Sequence, residues 1–364
     1  MKNVYRGLLM GTSLLLTLPA LAGNDQKRGQ AGATELTINP WARSSGWANA
    51  NSAGIRGVES INANVGGLAY VRGTEVVFSS TRWLQGTDIG INAVGIGQQL
   101  GKSGGVLGLS IVSWSLGEFF QTTEELPDAT TTFRPTMLNA ALSYSKIFSN
   151  TISGGINVRM ISTSLPGVSA QGISVDGAVQ YQTHLGGANA DAKNFKVGVT
   201  LRNVGPEMRY SGDGLSYRGT LLGGARDLNR AVEGKSQTFE IPTMLTIGLQ
   251  YDLAVADDHR VTGAATFISN SFSNDQYQGG VEYAYMEKFM VRGGYDFMKN
   301  TNYGQRSRAH TGLTAGATVE VPFGKAGEEA DATDTKQHRF GIDYSFRASN
   351  PWNGTHSVRN SVRV

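Results

Sequence analysis

The sequence predicts an all-β protein: a transmembrane antiparallel β-barrel of about fourteen strands, with an N-terminal segment folded into its lumen. Three observations carry this reading. The chain opens with an export signal and has no later helical span, its apolar/polar alternation repeats to the C-terminus, and its connections alternate between long and tight.

Composition narrows the class. The 364 residues include 48 Gly, no Cys, and 32 Lys+Arg against 29 Asp+Glu. Charged residues are 17% of the chain, below the roughly 25% of soluble domains. A hydrophobic content of 40% sets it apart from disordered chains, which carry more charge and fewer aromatics. Without Cys there is no disulfide framework, thiolate metal site, catalytic thiol or lipoprotein anchor. A net charge of +3 with no basic patch argues against a nucleic-acid partner.

Lys2 and Arg6 form a short positive region, Leu8 to Leu18 an apolar core, and Ala20-Leu21-Ala22 a small-x-small cleavage pattern. The spacing predicts a signal peptide over 1–22. Its core is too short for a spanning helix, and no later stretch approaches 18 apolar residues. Periplasmic, secreted and outer-membrane barrel proteins all fit that description, so the period of the remaining chain decides.

That period is two. Phe340, Ile342, Tyr344 and Phe346 share one face, opposite Arg339, Gly341, Asp343, Ser345 and Arg347. Phe195, Val197, Val199 and Leu201 alternate with Lys196, Gly198, Thr200 and Arg202, and the segments around 245–253 and 173–182 repeat the pattern. Strict alternation marks a strand with one apolar and one polar face. Fourteen such segments are expected: 75–83, 88–100, 104–117, 136–148, 151–164, 172–185, 194–202, 243–254, 259–271, 276–286, 288–298, 309–322, 337–347 and 355–364. Most are as long as a tilted transmembrane strand, about 9–11 residues, or slightly longer. Gly105 to Leu116 changes phase near Ile111, as a β-bulge would.

A soluble β-sandwich also alternates, and three features favour the barrel. The polar faces carry opposite charges suited to a packed lumen: Arg159, Asp176, Glu282, Arg292, Asp296, Arg339 and Asp343. Aromatics at strand ends (Trp83, Phe119, Phe120, Phe148, Phe297) suit an interfacial girdle. The long connections 118–135, 203–242 and 299–308 fall on one side, with tight turns at Ser149-Asn150 and Glu287 on the other. The connections 186–193 and 323–336 are long for periplasmic turns, which leaves the count open by two strands. The even count returns the C-terminus to the N-terminal side, the periplasm.

Residues 23–72 lack strand character; they are rich in small residues and poor in β-branched ones. A fourteen-stranded barrel encloses more space than side chains fill, so this segment is expected inside it as a hatch, with the barrel over 73–364. Arg43 and Arg56 would then reach lumenal carboxylates such as Asp176, Asp296 or Asp343.

Thr37-Ile38-Asn39-Pro40-Trp41-Ala42-Arg43, Gly46, and Asn62-Ala63-Asn64-Val65-Gly66-Gly67-Leu68-Ala69 form an ordered set. With Leu201-Arg202-Asn203-Val204-Gly205-Pro206 and Pro242, the set resembles the PorV/PorQ family, FadL-like outer-membrane barrels of the Bacteroidetes. The resemblance identifies Pro40, Arg43, Asn64, Gly66, Gly67 and Leu68 as the hatch motif. Where the family has Asn-Pro-Ala, this chain has Asn64-Val65-Gly66, so the turn there would be made by Gly. The resemblance implies a role in type IX secretion, with outer-membrane lipid, the translocon and secreted cargo as partners. Gln121 to Pro135, acidic through Glu124, Glu125 and Asp128, and Gly205 to Ile241 would be the cargo-facing loops or lids over the mouth. The alternative is a FadL-like channel for small hydrophobic molecules, against which the small, polar character of 42–67 counts.

Reaction chemistry is absent from the pattern, and no enzyme or cofactor is expected. His184, His259, His310, His338 and His356 lack metal-ligand spacing. Gly97 to Gly101, followed by Lys102 and Ser103, falls one residue short of a phosphate-binding loop and lacks its helix. No Gly-x-Ser-x-Gly elbow occurs. Lumenal carboxylates could form an acid–base pair, but inward Arg/Asp pairs are more often structural.

Overall fold

The computed structural model describes residues 25–27, 29–101, 103–122, 128, 131–186, 193–221, 228–298, 309–323, 338–350 and 352–364. The predicted signal segment 1–22, Lys102, Glu124 and Glu125 lie outside them. Fourteen strands form one closed antiparallel barrel. They are β1 Thr74–Arg82, β2 Gly90–Gln99, β3 Val106–Ser115, β4 Thr136–Ile147, β5 Ile152–Leu165, β6 Val168–Thr183 and β7 Phe195–Val204. The second half comprises β8 Met244–Ala256, β9 His259–Asn270, β10 Gln276–Tyr285, β11 Phe289–Met298, β12 His310–Phe323, β13 His338–Ser349 and β14 Thr355–Arg363. Each strand pairs with its sequence neighbour, and β14 closes onto β1 with Val362 opposite Val76 and Asn360 opposite Phe78. Closure leaves no edge strand to expose unpaired backbone groups.

The period-two pattern sorts the side chains. Val76 and Phe78, Leu107, Leu109 and Ile111, Val199 and Leu201, and Ile342 and Tyr344 all point out and are exposed, while their polar neighbours are buried inside. An apolar outer wall exposed all round would be costly in water, at about 25 cal/mol per Å²; it fits the hydrocarbon of a bilayer. Exposed aromatics mark both rims: Phe148, Tyr285, Phe289 and Phe340 at one end, Tyr277, Tyr295 and Phe297 at the other.

The connections 116–135, 205–243 and 299–309 share one end of the barrel, which is the extracellular end by the length rule for these barrels. The first two carry short strands of their own. Phe119–Gln121 pairs with Thr131–Phe133, and Ser216–Leu221 with Leu228–Glu233. Met208–Ser211 adds to the extended end of β6. The barrel has fourteen strands among the described residues, and the connections β6–β7 and β12–β13 lie largely outside them.

Two expectations fail here. No bulge interrupts β3, whose register with β2 and β4 is continuous. Val112 and Trp114 are instead inward apolar residues, because they pack on the N-terminal segment. Trp83 is not an outer-girdle residue. It turns into the mouth, with its ring 5.9 Å from that of Trp114 and 4.8 Å from that of His310.

Residues 33–71 run as short turns of helix, Thr34–Thr37, Ala42–Ser45, Val58–Asn62 and Val65–Tyr70, against the inward faces of strands all round the ring. Trp41, Val58, Ile61, Val65, Leu68 and Val71 form one apolar cluster with Val77, Ile91, Ala93, Val106 and Val112 of β1–β3. The wall makes room with glycine. A Cβ at Gly108 would meet Leu68 at 2.8 Å, and one at Gly294 would meet the Trp47 backbone at 2.5 Å. Much of the chain's glycine excess is thus a demand for close approach.

Candidate functional site

Beside the apolar cluster the segment is fastened by buried charge. Arg43 donates Nε to Asp343 Oδ1 at 2.8 Å and also binds Glu320. Asp343 is shared with Arg359 at 2.7 Å and with Arg292 at 3.6 Å. Arg292 pairs with Glu282 at 3.0 Å, and Arg359 lies 3.9 Å from Glu59 of the segment. Arg339 reaches Glu320 at 3.7 Å. Charges withdrawn from water in this way persist only when paired, and here each guanidinium meets carboxylates on neighbouring strands.

The motif residues sit along this contact. The Pro40 carbonyl accepts from Ser79 Oγ at 2.8 Å. Asn64 Oδ1 accepts from the Gly66 N–H at 3.1 Å, capping the short helix, and its Nδ2 donates to the Val179 carbonyl at 3.3 Å. The turn is therefore begun by Asn64, and Gly66 has no left-handed backbone. Gly67 is required for space, since a Cβ there would strike the Ile55 carbonyl; Leu68 is fully buried. Among the described residues Arg56 meets no carboxylate: it donates to Gln182 Oε1 at 3.0 Å and lies over the Tyr70 ring.

A second cluster holds the wall at β5–β7. Arg159 pairs with Asp176 at 3.1 Å. Asp176 Oδ1 accepts from the Asn203 N–H at 2.7 Å, and Asn203 donates Nδ2 to the Pro242 carbonyl at 3.0 Å. Asn203 is buried with φ 60°, at the bulge where the β6–β7 register shifts. Asn is one of the few residues besides Gly that adopt that conformation readily, and these hydrogen bonds hold it. His259 and His356 bond Tyr283 and Tyr344 on the exposed outer face, and no group of acidic and His residues suited to a metal occurs among the described residues. Asp128 is exposed on its loop.

Between the segment and the extracellular loops lies a cavity of about 400 Å³. Ile38, Trp83, Met244, Ile268, Phe272 and Met298 give it apolar walls, and Arg202, Asp296, His310 and Arg347 add charge and polarity at its margins. At its floor Asn49 Oδ1, Thr246 Oγ1 and Gln278 Oε1 are buried without a hydrogen-bond partner among the described residues. An apolar chamber with a few convergent polar groups is the usual form of a small-molecule site. Beside it the ladder of β12 is irregular. Pairing with β11 ends at Tyr295–Leu313, and pairing with β13 jumps from His310–Ser349 to Thr314–Arg347, with Gly312 at φ 102°.

Sequence reasoning placed the polar lumen but missed this cavity, because its apolar residues sit singly on otherwise polar inward faces. The signal was present in Ile268, which keeps the inward phase of Thr262, Ala264 and Thr266. Of the sequence-derived lumenal charges, Asp343 and Arg292 gather at the segment, Arg339 lies at its periplasmic margin, Arg159 and Asp176 stand apart, and Asp296 lines the cavity.

No protein-family model and no curated protein matches the chain. Among solved structures it is similar to a Pseudomonas putida toluene transporter, TodX, at 13% identity and a TM-score of 0.48, covering 85% of this chain and 93% of that one. It is similar to a Pseudomonas aeruginosa FadL homologue at 10% identity and a TM-score of 0.49, covering 88% and 96%. The monoaromatic hydrocarbon channel CymD shares 12% identity at a TM-score of 0.47, covering 88% and 95%. The closed fourteen-stranded ladder and its continuous apolar exterior make this chain an outer-membrane β-barrel.

Proposed function

We propose that the protein is a non-enzymatic outer-membrane channel that captures small, mainly apolar molecules at its extracellular mouth. The cavity over the inner segment carries this reading. Its volume of about 400 Å³ lies at the small end of the 300–1,000 Å³ typical of ligand sites. The unpartnered Asn49, Thr246 and Gln278 oxygens favour a ligand bearing at least one hydrogen-bond donor. Residues 42–67 are polar, yet they weigh little against this reading, because the apolar lining comes from Ile38 and the barrel mouth.

In this proposal residues 33–71 act as a closed hatch. Pulling the segment out would break several buried ion pairs, and breaking one such pair alone costs about 3–5 kcal/mol. Lateral exit through the irregular ladder at β12 asks for far less, so we assign the outward path there. Quenching of tryptophan fluorescence by small aromatic ligands tests the capture step. Saturable quenching lost in Trp83→Leu, with binding by a competition assay retained, supports it; no saturable binding by the wild type rejects it.

Carriage of secreted proteins for a type IX translocon is the second reading, favoured by exposed aromatics on the extracellular hairpins, Phe120 and Tyr217. A mild-detergent pull-down from the native outer membrane separates the two. Recovery of a large translocon or of exported proteins sharing a C-terminal domain supports carriage; a lone barrel rejects it.

A further inference from the structure

Inside the barrel, cations and carboxylates are closely matched where the segment meets β10–β14. At the periplasmic end they are not. There a cavity of about 570 Å³ is lined by Arg56, Arg72, Lys193 and Lys196, with Asp252 as the one carboxylate among the described lining residues. Asp252 is already paired with Lys196 at 2.5 Å, so three cations remain without a carboxylate among the described lining residues.

Two of them are fixed in place. The Arg56 guanidinium lies 4.4 Å from the centre of the Tyr70 ring and donates to Gln182 at 3.0 Å, which leaves further N–H groups of its fork for another acceptor. Lys193 donates one of its three protons to the Asn150 carbonyl. Arg72, exposed at the end of the inner segment, makes no hydrogen bond or ion pair with the described residues. The cavity also borders Ile147, which continues the inward phase of Ser143 and Ser145 and is exposed at the end of β4. It therefore opens at the periplasmic rim of the barrel.

We infer that this cavity is a phosphate-binding site. One carboxylate would satisfy a single cation, whereas phosphate offers several acceptor oxygens to an arginine fork and an ammonium together. A concave cationic surface also focuses the field that attracts such a group. Two sources present this chemistry, a phospholipid head group of the inner leaflet and a soluble phosphate ester of the periplasm. The site shares no lining residue with the extracellular cavity, so it stands or falls apart from the channel reading.

The full mature chain, purified in a neutral detergent, provides the test. One arm titrates inorganic phosphate and glycerol phosphate by calorimetry. The other measures retention of phosphatidylglycerol against phosphatidylcholine from mixed micelles by native mass spectrometry. The variant Arg72→Ala/Lys193→Ala removes two exposed cations, and its barrel is checked by heat-modifiable gel migration. We expect binding in one arm, weakened about tenfold or more in the folded variant. Selective lipid retention alone identifies the head group, and saturable phosphate binding alone identifies the soluble ester. Absence of binding in both arms, or equal binding by the variant, overturns the assignment.

Discussion

Arg43 of the inner segment and Asp343 of β13 stand 2.8 Å apart, Nε to Oδ1, inside the barrel. Asp343 also serves Arg359 and Arg292, so this one carboxylate ties the segment to three strands of the wall. Replacing Arg43 by Ala should leave Asp343 and Glu320 underpaired and lower stability by about 3–5 kcal/mol. Urea titration monitored by heat-modifiable migration measures that loss. The same variant should raise ion conductance in planar bilayers without raising uptake of apolar solutes, since the path assigned to those solutes does not run through the segment.

Close packing makes a separate demand at Gly67. Any Cβ there strikes the Ile55 carbonyl, and the backbone must shift to relieve it. Gly67→Ala should cost about 1–3 kcal/mol, the usual range for overpacking a filled interior. Gly263→Ala, where a Cβ would meet nothing, is the matched control and should be near neutral in the same titration.

Glu35 lies buried in the first turn of the inner segment. Burial, as the main cause, lifts its carboxyl above the ordinary range, against a smaller opposing pull from Arg159. A carboxyl raised on folding is favoured in its protonated form, so its contribution to stability is present at low pH and lost as pH rises through the raised value. Thermal unfolding should therefore show a step of falling stability as pH rises from the unfolded carboxyl range through the raised value. Glu35→Gln should abolish the step and unfold later than the wild type at pH 8.

The exit assigned to β12 predicts a redox-sensitive variant. Tyr295 and Leu313 form the last register pair between β11 and β12 below the irregular ladder. Cysteines at both positions should cross-link, slow uptake of apolar solutes, and recover on reduction. Unchanged uptake with the cross-link formed would place the exit elsewhere.

Much of the barrel was legible because alternation is a direct image of a two-faced wall. All fourteen strands, including the β13 face of Phe340 to Phe346, follow from period two and turn chemistry. The sequence failed where inward positions are apolar. Val112 and Trp114 read as a phase change because the alternation rule assumes a wet or polar lumen, and β1–β3 instead pack on Leu68 and Ile61. Trp83 read as a rim aromatic because position along a strand does not reveal which way the residue after it turns. The partner of Arg43 could be named only as one of several carboxylates, since the register of β13 against an irregular segment has no sequence signature.

Uptake of a radiolabelled small aromatic alcohol, by cells lacking other outer-membrane entry routes, decides whether the cavity feeds a channel. Wild-type protein should produce saturable entry. Ile268→Asn, which loses about 1–2 kcal/mol of apolar contact in the cavity, should weaken half-saturation roughly tenfold while the barrel stays folded. Entry no faster than in cells without the protein, or an unchanged half-saturation in the folded variant, would contradict a channel fed by this cavity.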